Sequence, residues 1–323
     1  MSLKSPCNAP CLLSIADLCS EEIREIIELG LELKRKYYSG EKRVELLKDL
    51  SFVILFEKPS TRTRVSFELA VVQLGGYPII LYSHELQLAR GETVADTARV
   101  LSRYVDGIIA RVRKHEFLVE LARHSSVPVV NALSDREHPV QALGDLMTIR
   151  ERFGRLEGLT LAFVGDGRSN VSSSLLLAAP MVGLNVRVAA PRPLWPSKEY
   201  VEFARRMCES FNCTIELTED PKEGVRDANI VYTDVWVSMG FEEEGAWRRK
   251  VLQPYQVNRE LLQLASKDHI FMHCLPAVRG EEVTDEVIDG SSSVVWEQAE
   301  NRLHVQKGLL AYMYRNYDRA GKR

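Results

Sequence analysis

The sequence predicts an α/β protein of two doubly wound domains with mainly parallel sheets, and three observations carry that reading. A chain of 323 residues, 45% of them hydrophobic, is long enough to bury two cores of ordinary domain size. Apolar runs of strand length alternate with longer stretches of helix length, the pattern of a parallel sheet with crossover helices. The alternation pauses at Arg155-Leu156-Glu157-Gly158 and then begins again.

Taken in order, 20–38 reads as a helix, 51–56 as a buried strand, and 61–74 as a helix ended by Gly75-Gly76. The unit repeats as strand 78–82, helix 93–104, strand 107–111, helix 116–124 and strand 127–131. A helix over 139–153 leads into the pause and sets the expected domains at 1–150 and 151–304. The second series runs through strand 159–164, helix 171–182, strands near 186–189 and 214–217, strand 229–233, helix 258–265 and strand 270–273. An amphipathic stretch over 305–317 predicts a closing helix, about 305–323, that packs back on the first domain.

Composition excludes several classes. The net charge is only −3 and the basic residues are dispersed, so neither nucleic acid nor a membrane surface is an expected partner. The longest apolar stretch, 175–184, contains Pro180 and falls short of the roughly 18 residues a spanning helix needs. The N-terminus has no basic segment followed by an apolar run, and a cytoplasmic protein is expected. Cys7, Cys11, Cys19, Cys208, Cys213 and Cys274 show neither CxxC pairs nor zinc-finger spacing, so no disulfide framework and no metal is expected. All but Cys274 are read as small apolar residues.

In parallel sheets, ligands bind beyond the carboxyl ends of the strands. After the first strand comes Glu57-Lys58-Pro59-Ser60-Thr61-Arg62-Thr63-Arg64, with Ser60 placed to cap a helix at Thr61. Helix-end amides, three hydroxyls and two guanidinium groups in one turn suit a phosphate dianion. The plain alternative is an N-cap with surface arginines. No GxxxxGK[ST] loop is present. Arg111 ends another strand, and His138-Pro139-Val140-Gln141 follows the strand over 127–131. A guanidinium, an imidazole and an amide there can all donate to a carbonyl oxygen, although singly each also reads as an ordinary surface or helix-end residue.

The string from Phe56 to Glu68, followed by His138-Pro139-Val140-Gln141-Ala142-Leu143, resembles the aspartate and ornithine carbamoyltransferase family nearly end to end. The resemblance implies an active site in the interdomain cleft, with no metal or organic cofactor. It implies that Ser60, Thr61, Arg62 and Thr63 hold the phosphate of carbamoyl phosphate, and that Thr63, Arg111, His138 and Gln141 address its carbamoyl group. Arg302 resembles the arginine that closes on this substrate from the second domain. The family assembles as trimers or their multiples, and Gln87, in the loop 83–90, is the residue expected at a neighbouring subunit's site.

Three features bear on the acceptor. His273-Cys274-Leu275-Pro276 resembles the ornithine branch, where Cys274 and Leu275 also line the carbamoyl phosphate site; aspartate enzymes have a cysteine-free loop here. Asp234-Val235-Trp236-Val237-Ser238-Met239-Gly240 resembles the ornithine-binding loop, with Asp234, Ser238 and Met239 on the amino acid. Gly165-Asp166-Gly167-Arg168-Ser169-Asn170 resembles the turn whose asparagine, here Asn170, contacts ornithine, with an altered spacing. Gly165 and Gly167 also begin a dinucleotide fingerprint, but Asn170 fills its third glycine position, so NAD is not expected.

The expected activity is therefore transfer of the carbamoyl group to the side-chain amine of L-ornithine, giving citrulline and phosphate, with Cys274, Arg111 and His138 as catalytic residues. Cys274, polarised by His273 and Asp234, is expected to orient the amine and help it lose its proton. The alternatives are the same chemistry on N-acetylornithine or putrescine, and a silent paralogue that only binds these metabolites.

Overall fold

The computed structural model describes residues 10–238 and 241–315. They divide into two compact units, one running to Met147 and resuming at Asn301, the other spanning Thr148–Glu300. Both divisions fall inside helices.

The first unit holds α1 (Ser20–Tyr38), β1 (Ser51–Phe56), α2 (Thr61–Gln73), β2 (Tyr77–Tyr82), α3 (Val94–Tyr104), β3 (Gly107–Arg111), α4 (His115–His124), β4 (Val129–Leu133) and most of the start of α5 (Pro139–Phe153). Its strands are parallel in the order β2-β1-β3-β4. The chain leaves β1 toward β2 on one side and returns to β3 on the other, so the winding reverses between β1 and β3. Pairing of Phe56 with Arg111 sets the ends of those two strands level. Phe52 to Phe56 are all buried, as a central parallel strand with both faces covered requires.

The second unit holds β5 (Thr160–Val164), α6 (Asn170–Met181), β6 (Asn185–Ala189), α7 (Lys198–Phe211), β7 (Ile215–Thr218), α8 (Pro221–Val225), β8 (Ile230–Thr233), α9 (Gly245–Leu252), α10 (Arg259–Leu262), β9 (Ile270–His273), α11 (Asp285–Ile288) and the start of α12 (Val295–Tyr314). Its parallel sheet runs β7-β6-β5-β8-β9, with the reversal between β5 and β8.

Four expectations need correction. The closing helix begins at Val295, well before 305, because Gln298, Asn301, Arg302, His304 and Gln306 are buried polar residues that break the apolar period. The fourth strand starts at Val129, since Pro128 has no N–H for the ladder and Val127 N–H is taken by the Ser125 hydroxyl. Between the strands near 186–189 and 214–217, where no element is expected, α7 forms on a buried stripe of Val201, Ala204 and Cys208. Cys208 and Cys213 form a disulfide rather than acting as separate apolar residues, because left-handed Asn212 (φ 52°) turns the chain and brings their Cα atoms to 4.5 Å. Of the other cysteines, Cys19 is exposed, Cys11 is half-buried, and Cys7 lies outside the described residues.

From Asn301 onward α12 packs on α1. Asn301 accepts Lys34 Nζ at 2.8 Å, and the Tyr314 hydroxyl donates to Asp106 O at 2.9 Å. Gly30 and Gly308 let the helices touch backbone to backbone: a Cβ on Gly308 would sit 2.7 Å from Gly30 N. Helix propensity favours Ala over Gly by roughly 1 kcal/mol, but overpacking costs about 1–3 kcal/mol, and here the obstacle is backbone. Gly308→Ala is therefore expected to lower the unfolding midpoint in a thermal or denaturant titration; an unchanged or raised midpoint would contradict this crossing.

Candidate functional site

In the first unit the reversal brings together the ends of β1 and β3. Ser60 caps α2, its hydroxyl accepting Thr63 N–H at 3.3 Å. Thr61 is exposed, Arg62 half-buried and Thr63 buried, so the turn presents a graded set of donors. Arg111 Nη1 donates to Thr63 Oγ1 at 3.1 Å, which commits a lone pair of that hydroxyl and leaves its proton to donate elsewhere. The strand ends are tied by Glu57 N–H donating to Arg111 O at 2.9 Å.

β4 delivers His138 to the start of α5, where its carbonyl accepts Gln141 N–H at 3.0 Å. Burial first, then the guanidinium groups of Arg302, Arg111 and Arg62, hold the His138 imidazole well below the usual histidine range. It is a neutral ring among three cations. Gln141 is fixed at both ends: its oxygen accepts Arg302 Nη1 at 2.5 Å, and its Nε2 donates to buried Asp145 at 2.8 Å. Arg302 thus packs with the first unit and not, as expected, as a residue of the second, because α12 starts early and crosses the division before it. Gln87 lies exposed in a 3-10 turn, Gln87–Arg90, where its oxygen accepts Arg90 Nη1 at 3.5 Å, and the structure does not hydrogen-bond it to the cradle.

In the second unit three strand ends supply the residues. Asp166 follows β5 and leads through Ser169, which caps α6 by accepting Ser172 N–H at 3.1 Å, to Asn170 at the first position of that helix. Asp234 follows β8 and is buried; its Oδ1 accepts Val235 N–H at 2.8 Å and the Cys274 thiol at 3.2 Å. Burial pushes the Asp234 carboxyl up, opposed by the His273 ring and the thiol. Ser238 is buried in the same loop, while Met239 lies outside the described residues.

His273 ends β9. Its Nδ1 accepts Leu275 N–H at 2.9 Å and its Nε2 donates to Glu282 Oε1 at 3.0 Å. Both ring nitrogens are committed, so of the two expected partners of Cys274 the ring of His273 holds the loop instead of polarising the thiol, while Asp234 accepts it. Leu275 adopts φ 57°, a left-handed conformation that a branched residue keeps only when its surroundings enforce it, ahead of a cis bond to Pro276. Asp234, His273 and Cys274 place an oxygen, a nitrogen and a sulfur within 4.8 Å of one another, the donor set of a borderline-soft cation, but a metal would have to displace the ring's existing bonds.

Sequence reasoning did not single out Asp145, Glu282 or Gln298. Gln298 accepts His273 N–H at 2.9 Å and donates to the Tyr232 hydroxyl at 3.0 Å. For Asp145 there was a signal, its i,i+4 relation to Gln141 on one helix face; Glu282 and Gln298 act through tertiary contacts alone.

The chain matches two family models: residues 11–151 the aspartate/ornithine carbamoyltransferase carbamoyl-P binding domain, and residues 157–313 the Asp/Orn binding domain of the same family. It is 56% identical over 300 residues to an ornithine carbamoyltransferase of Hyperthermus butylicus, covering 93% of this chain and 96% of that one. It is 50% identical over 300 residues to a protein of Pyrococcus furiosus named ornithine carbamoyltransferase, anabolic, covering 93% and 95%. A solved ornithine carbamoyltransferase structure from Pyrococcus furiosus superposes with a TM-score of 0.92 at 48% identity, covering 98% of this chain and 100% of the other.

The neutral state of His138 has a measurable cost. Unfolded histidine titrates near 6.5, so as the pH falls below that value the unfolded chain binds a proton that the folded chain refuses, and stability drops. One such group contributes at most about 1.4 kcal/mol per pH unit; buried His115 shifts in the same direction. His138→Gln is expected to make the decline between about pH 6.5 and 5.5 shallower in urea titrations, and an unchanged slope would mean that the folded imidazole is protonated.

Proposed function

The chain belongs to the aspartate/ornithine carbamoyltransferase family, and we propose that its two sheets divide the reaction, the first holding the carbamoyl donor and the second the amino-acid acceptor. The reaction is transfer of the carbamoyl group of carbamoyl phosphate to the side-chain amine of L-ornithine, giving L-citrulline and phosphate.

On the donor side, Ser60, Thr61, Arg62 and Thr63 take the phosphate at the α2 N-terminus, where amides and the helix dipole favour an anion. The Thr63 hydroxyl, already accepting from Arg111, donates to the carbamoyl oxygen. Arg111 supplies charge there and neutral His138 supplies a hydrogen bond, an arrangement that stabilises the oxyanion formed on attack. Gln141, held by Arg302, completes the donor site with Leu275; Gln87 of a neighbouring copy is the remaining contact.

The observation that carries the acceptor reading is the Cys274 thiol donating to Asp234 at 3.2 Å. With its proton directed at Asp234, the sulfur turns lone pairs outward to accept a hydrogen bond from the attacking amine. An amine of lysine type titrates near about 10.4, so it arrives protonated, and the Cys274 and Asp234 pair orients it and lowers the cost of its neutral form. Asp234, Ser238, Met239 and Asn170 address the α-amino and carboxylate groups. Departing phosphate takes up the amine's second proton.

We read the working assembly as a homotrimer or a multiple of it. Val65, Leu69 and Val72 lie exposed on one face of α2, and Tyr77 and Ile79 lie exposed on edge strand β2, an apolar face suited to other copies of this chain. A reaction between two water-soluble metabolites suits the cytoplasm, and the word anabolic in the Pyrococcus furiosus relative's name supports a place in arginine synthesis.

Arg62→Ala removes a charge-assisted phosphate contact of about 1.5–3 kcal/mol, and KM for carbamoyl phosphate is expected to rise roughly ten- to a hundredfold. Cys274→Ser is expected to lower kcat with ornithine far more than it changes carbamoyl phosphate binding. Citrulline formation, with N-acetylornithine, putrescine and aspartate as rival acceptors, reads both; an unchanged KM for carbamoyl phosphate in Arg62→Ala would sink the phosphate assignment. Leu69→Glu is expected to shift the mass in light scattering from the assembly to the single chain.

A further inference from the structure

Arg248, on α9, is 0% exposed, and a guanidinium fully removed from water is retained only with strong partners. It has two carboxylates and a ring. Nη1 donates to Asp166 Oδ2 at 2.5 Å, Nε donates to Glu244 at 2.8 Å, and the guanidinium carbon lies 4.0 Å from the centre of the Phe241 ring. These partners come from different parts of the second unit. Asp166 belongs to the turn that delivers Asn170, and its other carboxylate oxygen accepts Arg168 N–H at 3.0 Å, so the same side chain shapes that turn. Phe241 and Glu244 continue the loop that begins at Asp234, and Phe241 N–H donates to Ser238 O at 3.1 Å.

The turn also runs close to the end of β8 and the loop after it. Gly165 (φ 127°) has no side chain, and a Cβ there would lie 3.5 Å from the Thr233 hydroxyl and 3.9 Å from the Trp236 indole. Among the described residues, the Trp236 indole nitrogen, the Ser238 hydroxyl and Arg248 Nη2 are buried without a hydrogen-bond partner. Three donors on one loop and its helix are thus withheld from water, an arrangement that awaits an acceptor.

We propose that Arg248 is a positioning residue for the acceptor amino acid: by bridging Asp166 to Glu244 and Phe241, it locks the Asn170 turn and the loop from Asp234 to Ser238 into one register, so that both present their groups to the same carboxylate-bearing substrate. This rests on the acceptor reading given above. Arg248 does not touch the reacting atoms, and its loss acts on ornithine affinity.

A purely structural ion pair would behave differently, because such a pair can be replaced by neutral groups with little change to the native active site. The test is steady-state kinetics with both substrates varied, on wild type, Arg248→Lys, Arg248→Gln and the double variant Arg248→Gln with Asp166→Asn, each checked for folding by circular dichroism. The double variant leaves no unpaired buried charge and keeps the measurement possible where the single glutamine variant unfolds. KM for ornithine is expected to rise tenfold or more in the glutamine variants. Lysine keeps the charge but not the fork that spans two carboxylates, and is expected to fall between them and wild type. KM for carbamoyl phosphate and kcat at saturating ornithine should stay within twofold. An unchanged ornithine KM in a folded variant, or both KM values rising together, would overturn the proposal. Lack of ornithine turnover in the wild type would instead overturn the acceptor reading on which it rests.

Discussion

The placement of chemistry in this protein depends on one topological constraint, the reversal of winding direction within each parallel sheet. Crossover helices leave to opposite sides of β1 and β3, and again of β5 and β8, and each parting opens a notch beyond the carboxyl ends of two adjacent strands. Ser60 to Thr63, Arg111, Asn170 and Asp234, residues with proposed roles, lie at or just past one of those strand ends. Strand pairing then becomes site geometry: because Phe56 pairs with Arg111, the hydroxyl of Thr63 in the first turn of the next helix falls within reach of that guanidinium.

The notches differ in charge, and burial sharpens the difference. The first gathers Arg62, Arg111 and Arg302 around a histidine that they and desolvation keep neutral. Three permanent cations supply the field, so the ring is free to act as a directional donor. The second notch is acidic and thiol-bearing. Burial drives the Asp234 carboxyl toward its protonated form, and the bonds it accepts from Val235 N–H and the Cys274 thiol resist that drive.

Much of the architecture was legible because the local signals agreed with one another. The Ser60 cap, the start of α2 at Thr61, and the strands β1, β3 and β9 coincide with what apolar runs and capping residues predict. Legibility failed where long-range contacts outweighed local pattern. α12 carries so many buried polar residues that its apolar period vanishes, and moving its start by a few turns placed Arg302 with the other unit. Of the two partners expected for Cys274, Asp234 on the neighbouring strand accepts the thiol, while the His273 ring, though near, is taken up by Glu282 and Leu275, contacts that adjacency in sequence does not reveal. The Arg248 to Asp166 pair joins positions 82 residues apart, and no spacing rule reaches that far.

The two halves also differ in how they can be encoded. A phosphate dianion is compact, and a single helix N-terminus can surround it with amides and hydroxyls, so the proposed donor recognition fits in one contiguous string, Ser60 to Thr63. An amino acid with a terminal amine presents an ammonium, a carboxylate and a distant nucleophile, which no single turn can span. In the proposed site its partners come from the ends of β5, β8 and β9, and such ends keep register only if something ties them. In the second unit the ties are buried: Arg248 between Asp166 and Glu244, Glu282 and Leu275 on His273, and Gln298 between His273 and Tyr232. Extended, multi-point recognition of the proposed kind thus shifts the sequence burden from ligand-facing residues to the hidden ones that tie them in register.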